Sequence, residues 1–365
     1  MAPELLPPME PSVHSPVRPL NSHRRLWALG VALCLLVLGD RMTKAVVQRF
    51  PSIAGSGPEY HLEYLLLHPR PADAEGKRRI LLLGDSMVRM NLDEEWLAGG
   101  LSERGDTWAD NLGMDGCYGL SIVLLANRLK PVEPDLVVWG LDESVFSELL
   151  KKDGEFWMPS KMIVVQTLGG EVLYDHIPGL PERARVLSQA WLLDHLVLYR
   201  YRAYFREYLA AWARSRIAGH RLPLGKYRSE RASPNPRRLA AVLKRRQAEA
   251  PQVPLFPPGN GYDYSTLIKD DIAAVAKLVR EANAQLVVAW LPRPIDTGSP
   301  EPPELAIARR SCGDLAVPFL DLRGTVPMEG FNDELHANRQ GKLWTTRQLA
   351  SRLRPLLVTS AKGNH

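Results

Sequence analysis

The chain has 365 residues and is 45% hydrophobic, which suits one large domain or two small ones with a real core. Its net charge of +5 is uneven: Arg200 to Arg246 holds fourteen Lys/Arg against Glu207 and Glu230, so the rest of the chain is mildly acidic. Three cysteines (Cys34, Cys117, Cys312), no CxxC and nine scattered histidines exclude a disulfide framework and argue against a structural metal; no cofactor is expected.

The chain opens with residues 1–25, rich in Pro and Ser near the start, which read as a disordered tail. LWALGVALCLLVLG, residues 26–39, follows Arg24-Arg25 and carries no charge over fourteen residues. A full span needs about 20 residues. As a signal anchor, the segment 26–47 runs on to Val47, with Arg41 and Lys44 snorkelling. As a cleaved signal peptide, it ends near Val37-Leu38-Gly39. The apolar pattern continues through AVVQRF, which favours the anchor, and the run is apolar on all faces, unlike an amphipathic core helix. A short cytoplasmic tail before a long domain places that domain outside the cytoplasm, tethered by a single segment, or secreted if the segment is cleaved. Residues 48–77, with Pro51, Pro58, Pro69 and Pro71, read as a stem.

A domain is expected over 78–356, with 357–365 as a tail. It begins with a strand, RRILLLG (78–84), then a helix near Asp93–Gly105, a second strand TWADNLG (107–113) and a helix over Leu120–Leu129. PDLVVWG (134–140) is a third strand. After residues 145–265 come a helix over Ile272–Ala282, a fourth strand QLVVAWLP (285–292), a helix over Pro303–Arg310, a fifth strand VPFLDL (317–322) and a final helix over Arg339–Arg354. Apolar strands alternating with helices predict a three-layer α/β/α, flavodoxin-like fold with a five-stranded parallel sheet. Residues 145–265 are a helical, basic insertion between strands 3 and 4. Its core, 191–216, is a long helix on which Tyr199, Tyr204, Tyr208 and Trp212 form a stripe.

In such a sheet, ligands bind at the C-terminal strand ends. Ser86 follows the first strand, where its hydroxyl is exposed and its N–H can face a developing oxyanion. Asn111-Leu-Gly113-Met-Asp-Gly116 follows the second, and Gly116 can offer a second N–H. Asp333-Glu-Leu-His336 precedes the last helix; three positions apart on a turn, the carboxylate can orient the imidazole. Asp85 is expected to cap a helix or brace the nucleophile loop, Cys117 to be a small buried residue, and His176 and His195 to be structural or surface residues.

Gly84-Asp85-Ser86 near the domain start, NxGxxG, the glycine turn after PDLVVW, and DxxH before the final helix together resemble the SGNH (GDSL-type) hydrolase superfamily over roughly half of the chain. The resemblance implies Ser86 as nucleophile, His336 as general base, Asp333 as its orienting partner, and Gly116 as an oxyanion donor. The family's fourth block is Gly-x-Asn-Asp, whose Asn is a further donor. Here the block reads Gly140-Leu141-Asp142-Glu143, so Asp142 stands at that donor position. An ionised carboxylate cannot donate, and one such donor is worth about 3 kcal/mol in the transition state. Either Asp142 is protonated in a dry site, another donor substitutes, or activity is low; Asp142 also reads as a simple cap of the following helix at Glu143–Leu150.

The implied activity is that of a serine esterase or O-acyltransferase working on acyl esters through an acyl-enzyme. The layout of anchor, early serine, long insertion and late DxxH is similar to membrane-anchored, envelope-modifying members of the superfamily. This extends the expected partners from the acyl-ester substrate to an envelope polysaccharide, the membrane and a membrane acyltransferase. A non-catalytic envelope protein of the same fold and a secreted esterase or lipase are the alternatives. The basic insertion is read as a solvated face, a membrane contact or an acidic-polymer contact; nucleic acid is not expected.

Overall fold

The protein is described by a computed structural model covering residues 22–49, 74–102, 105–114, 120–142, 264–296 and 301–361, with residues 65, 117, 181, 184, 188, 191, 192, 195–201, 240 and 244 between them. Helix α1 spans Ser22–Arg49. The domain then runs β1 (Arg78–Leu83), α2 (Ser86–Asn91), α3 (Glu94–Leu101), β2 (Thr107–Asn111), α4 (Leu120–Asn127) and β3 (Leu136–Leu141). A short helix α5 (Val197–Arg200) precedes α6 (Tyr264–Glu281), β4 (Gln285–Trp290), α7 (Pro303–Asp314), β5 (Phe319–Asp321) and α8 (Arg339–Ala361).

All strand pairs are parallel and the order is β2-β1-β3-β4-β5. The continuous apolar runs explain this arrangement, because a parallel sheet is covered on both faces. Successive side chains point to opposite faces. Leu81 and Leu83 of β1, with Val137, Trp139 and Leu141 of β3, join one core under α4, α6 and α7. Ile80, Leu82, Leu136 and Val138 join the other, under α2, α3 and α8. The result is the expected three-layer α/β/α fold. The edge strand β5 is three residues long and half-buried, shorter than its apolar run predicts.

Several bounds differ from expectation. The last helix continues to Ala361, past the expected domain end at 356, since Leu353 and Leu357 extend its buried stripe. Leu65, expected in a stem, is fully buried in the larger core. The helix over Glu143–Leu150, and Tyr204, Tyr208, Trp212 and His176, lie outside the described residues. Within the insertion, Tyr199 packs against the larger core and Tyr201 is buried. His195 is exposed, stacked on Trp191 with ring centroids 4.5 Å apart.

Helix α1 is long and apolar enough to cross a membrane over Leu26–Val46. It is also tied to the insertion. Leu196, at the N-cap of α5, makes no capping bond of its own; instead the Leu198 N–H donates to Asp40 of α1 at 2.8 Å. Gly39, one residue earlier, leaves the space that the Leu198 side chain approaches.

Helix α6 holds Asp271, whose carboxyl is pushed up to about 7 by burial and by neighbouring Asp270. A folded-state value above the unfolded one means stability is fullest below the unfolded pKa of about 4 and declines as pH rises towards 7. Asp271→Asn is therefore expected to stabilise the domain by roughly 1–3 kcal/mol at pH 8, with the gain vanishing near pH 4. Urea titrations at the two pH values check this.

Candidate active site

The site is assembled where β1, β2 and β3 end. Gly84 leaves β1 at φ 152°, a backbone conformation that side chains rarely adopt, and a Cβ there would lie 2.9 Å from the Gly140 carbonyl oxygen. Asp85 then caps α2: its Oδ1 accepts from the Met87 N–H at 2.8 Å. The expected capping role is thus the observed one, and it places Ser86 at the first position of α2.

The strand β2 delivers Asn111 and Gly113. The Asn111 Nδ2 donates to the Val88 and Leu92 carbonyls, each at 3.1 Å, and its Oδ1 accepts from the Gly113 N–H at 2.9 Å. Gly113 lies directly against the nucleophile turn, where a Cβ would meet the Arg89 backbone nitrogen and, at 2.9 Å, the Asp85 carbonyl oxygen. Cys117 is buried in the larger core, as a small apolar residue would be. Gly116 lies outside the described residues.

The histidine arrives from the other end of the chain. Phe331 and Ala337 form an antiparallel bridge and pack with Val326 and Trp344, folding 331–337 into a small loop before α8. Asp333 Oδ1 accepts from the backbone N–H groups of Leu335 and His336 at 2.9 and 2.7 Å. Its Oδ2 lies 3.0 Å from His336 Nδ1, and His336 Nε2 lies 3.0 Å from Ser86 Oγ. Burial would raise the Asp333 carboxyl, but the hydrogen bonds from the His336 ring and from the two N–H groups hold it down at about 2. An ionised carboxylate only accepts, so Nδ1 carries the ring proton and Nε2 is free to accept from the Ser86 hydroxyl. Ser86, Asp333 and His336 are therefore brought together in one hydrogen-bonded series, with Asp333 exposed and the other two partly exposed.

Asp142 follows β3 and is buried, 1% exposed, as is Asp85 at 2%. Burial first, then the nearby Asp142 carboxylate, pushes the Asp85 carboxyl well above the usual carboxylate range. The protonated form of Asp85 is therefore favoured just before Ser86. Composition and spacing do not reveal this proximity, since the two residues are 57 positions apart in the sequence. Nor did they single out Asn91, which touches the histidine loop from α2. No group of His, Cys, Asp and Glu suited to a metal exists among the described residues.

No protein-family model matches the chain, and no curated protein does. Among solved structures it is similar to one described as a "putative arylesterase" from Agrobacterium tumefaciens str. C58, at 12% identity and a TM-score of 0.34, over 76% of this chain and 99% of the other. The α/β/α fold is read from the parallel sheet and its flanking helices.

Proposed function

We propose that this chain is a serine esterase or O-acyltransferase of the SGNH (GDSL-type) kind. The observation that carries the reading is the hydrogen-bonded series Asp333–His336–Ser86. In the first half-reaction, Ser86 Oγ attacks the ester carbonyl carbon while its proton passes to His336 Nε2. Asp333 fixes the ring tautomer and offsets the imidazolium charge. The tetrahedral oxyanion is met by the Ser86 N–H and, on the family resemblance, by the Gly116 N–H. Collapse breaks the C–O bond, and the leaving alcohol takes the proton from His336. Water, or a sugar or polyol hydroxyl, then attacks the acyl-enzyme with His336 again as base.

The resemblance in layout supports a substrate among acyl esters of extracytoplasmic envelope glycan or lipid. In this reading α1 is the membrane tether, the domain lies outside the cytoplasm, and a membrane acyltransferase is a partner. The test is labelling of the full-length protein by a fluorophosphonate, with Ser86→Ala as control. Labelling that Ser86→Ala abolishes supports the reading; intact protein that stays unlabelled overturns it.

Asp142 favours a second reading, an envelope protein that keeps the fold and binds a glycan or acyl ligand without turnover. The two part on Asp142→Asn. This change restores a neutral donor and removes the like charge next to Asp85. In an esterase limited by that donor, turnover of short acyl esters rises by ten- to a hundredfold, on the order of one oxyanion-hole donor's contribution or less. A binding protein gains no turnover.

A further inference from the structure

We propose that Asn91 is a positioning residue that holds His336 within reach of Ser86, an inference that rests on the esterase reading above. Helix α2 is only six residues long, with Ser86 at its first position and Asn91 at its last. At 1.5 Å per residue the two lie about 7.5 Å apart along one rigid turn and a half. Asn91 is fully buried. Its Nδ2 donates to the Leu335 carbonyl at 3.0 Å, and its Oδ1 accepts from the Ala337 N–H at 2.8 Å. One carboxamide thus grips the backbone on both sides of His336.

The grip has the chemistry of asparagine in particular. It needs a donor and an acceptor in one plane on a short stem; aspartate lacks the donor and leucine lacks both. The loop meets it with its own bracing, since the Asn332 N–H donates to the His336 carbonyl at 2.8 Å and Asn332 Nδ2 donates to Ala337 at 3.3 Å. Asn111 holds α2 in turn, through the Val88 carbonyl within it and the Leu92 carbonyl at its C-cap. Nucleophile and base, 250 positions apart, are therefore joined through one helix whose two ends carry the hydroxyl and the clamp. Asp333 orients the imidazole about its own loop; Asn91 sets where that loop sits relative to Ser86. Displacement of a reacting group by about 1 Å is enough to cost on the order of 10²-fold in rate.

The experiment is a double-mutant cycle on the full-length protein, read by turnover of p-nitrophenyl acetate and by the rate of fluorophosphonate labelling. Asn91→Ala is expected to lower kcat about a hundredfold with KM changed less than about threefold, and to slow labelling in parallel. In a His336→Ala background the same change is expected to cost less than about threefold, because the group being positioned is gone. Asn91→Ser, which is smaller and reaches neither Leu335 nor Ala337 but keeps a polar hydroxyl in the site, is expected to behave likewise and serves where Asn91→Ala does not fold. Equal losses in both backgrounds, or no loss in either, overturn the proposal while leaving the esterase reading intact. A wild-type protein that neither labels nor turns over overturns both.

Discussion

On the esterase reading, His336→Ala is expected to lower ester turnover by about four to six orders of magnitude, and Ser86→Ala to do the same, with the two together costing no more than either alone. The size follows from the relay. His336 Nε2 is the base that the described residues place on Ser86 Oγ, and without the hydroxyl the imidazole would have no nucleophile to activate. The residual rate comes from the N–H groups facing the oxyanion, which neither change removes. Both side chains are at the surface end of the sheet, with His336 23% exposed, so folding is expected to be preserved. Steady-state kinetics with thermal melts on the three variants check the result; additive losses would mean that the two residues do not act as a unit.

Gly113→Ala is expected to be strongly destabilising, because it adds a methyl group directly against the Ser86 turn. The added carbon would press on the Arg89 nitrogen and Cα and on the Asp85 carbonyl, all of them main chain, so no side-chain rotation can relieve it. The nucleophile turn and β2 must separate, at a cost of about 3 kcal/mol, the upper part of the range for overpacking. For a domain of this size that is a fall in Tm of roughly 6–12 °C. Activity is expected to fall further than stability accounts for, since the displaced turn carries Ser86. Gly99→Ala is the control: it lies in α3 with open space around it, and is expected to be neutral or slightly stabilising. Calorimetry of the two variants, with turnover measured well below both melting points, separates the effects.

The parts of this architecture legible in the sequence are those written in continuous local patterns. Each of β1, β3 and β4 is a buried apolar run, and each appears within two residues of its expected bounds. Ser86, Asp333 and His336 stood out because a motif marked each at an element boundary. Helix α2 did not, because SMVRMN is too short to show a helical period and its start depends on the Asp85 cap. Asn91 carried no signal, since its partners are backbone groups whose identity is silent in sequence. Leu65 looked like part of a Pro-rich stem, and only the packing of the larger core reveals where its side chain goes. The Asp85–Asp142 coupling is likewise a product of two strand ends meeting.

The distance in sequence between Ser86 and His336 has a consequence for how the protein comes into being. The nucleophile, its cap and β1 to β3 are made early, whereas the base lies 250 residues later, and its loop is set in place beside α8. At about 5–20 residues per second, synthesis leaves roughly 10–50 s in which the growing chain has a serine and no base. Contacts of such long sequence separation also form late in folding, after the loop-closure cost has been met. On the esterase reading, the chain would be without its base throughout most of its synthesis, and the Ser86–His336 pair would form only once the loop before α8 is in place.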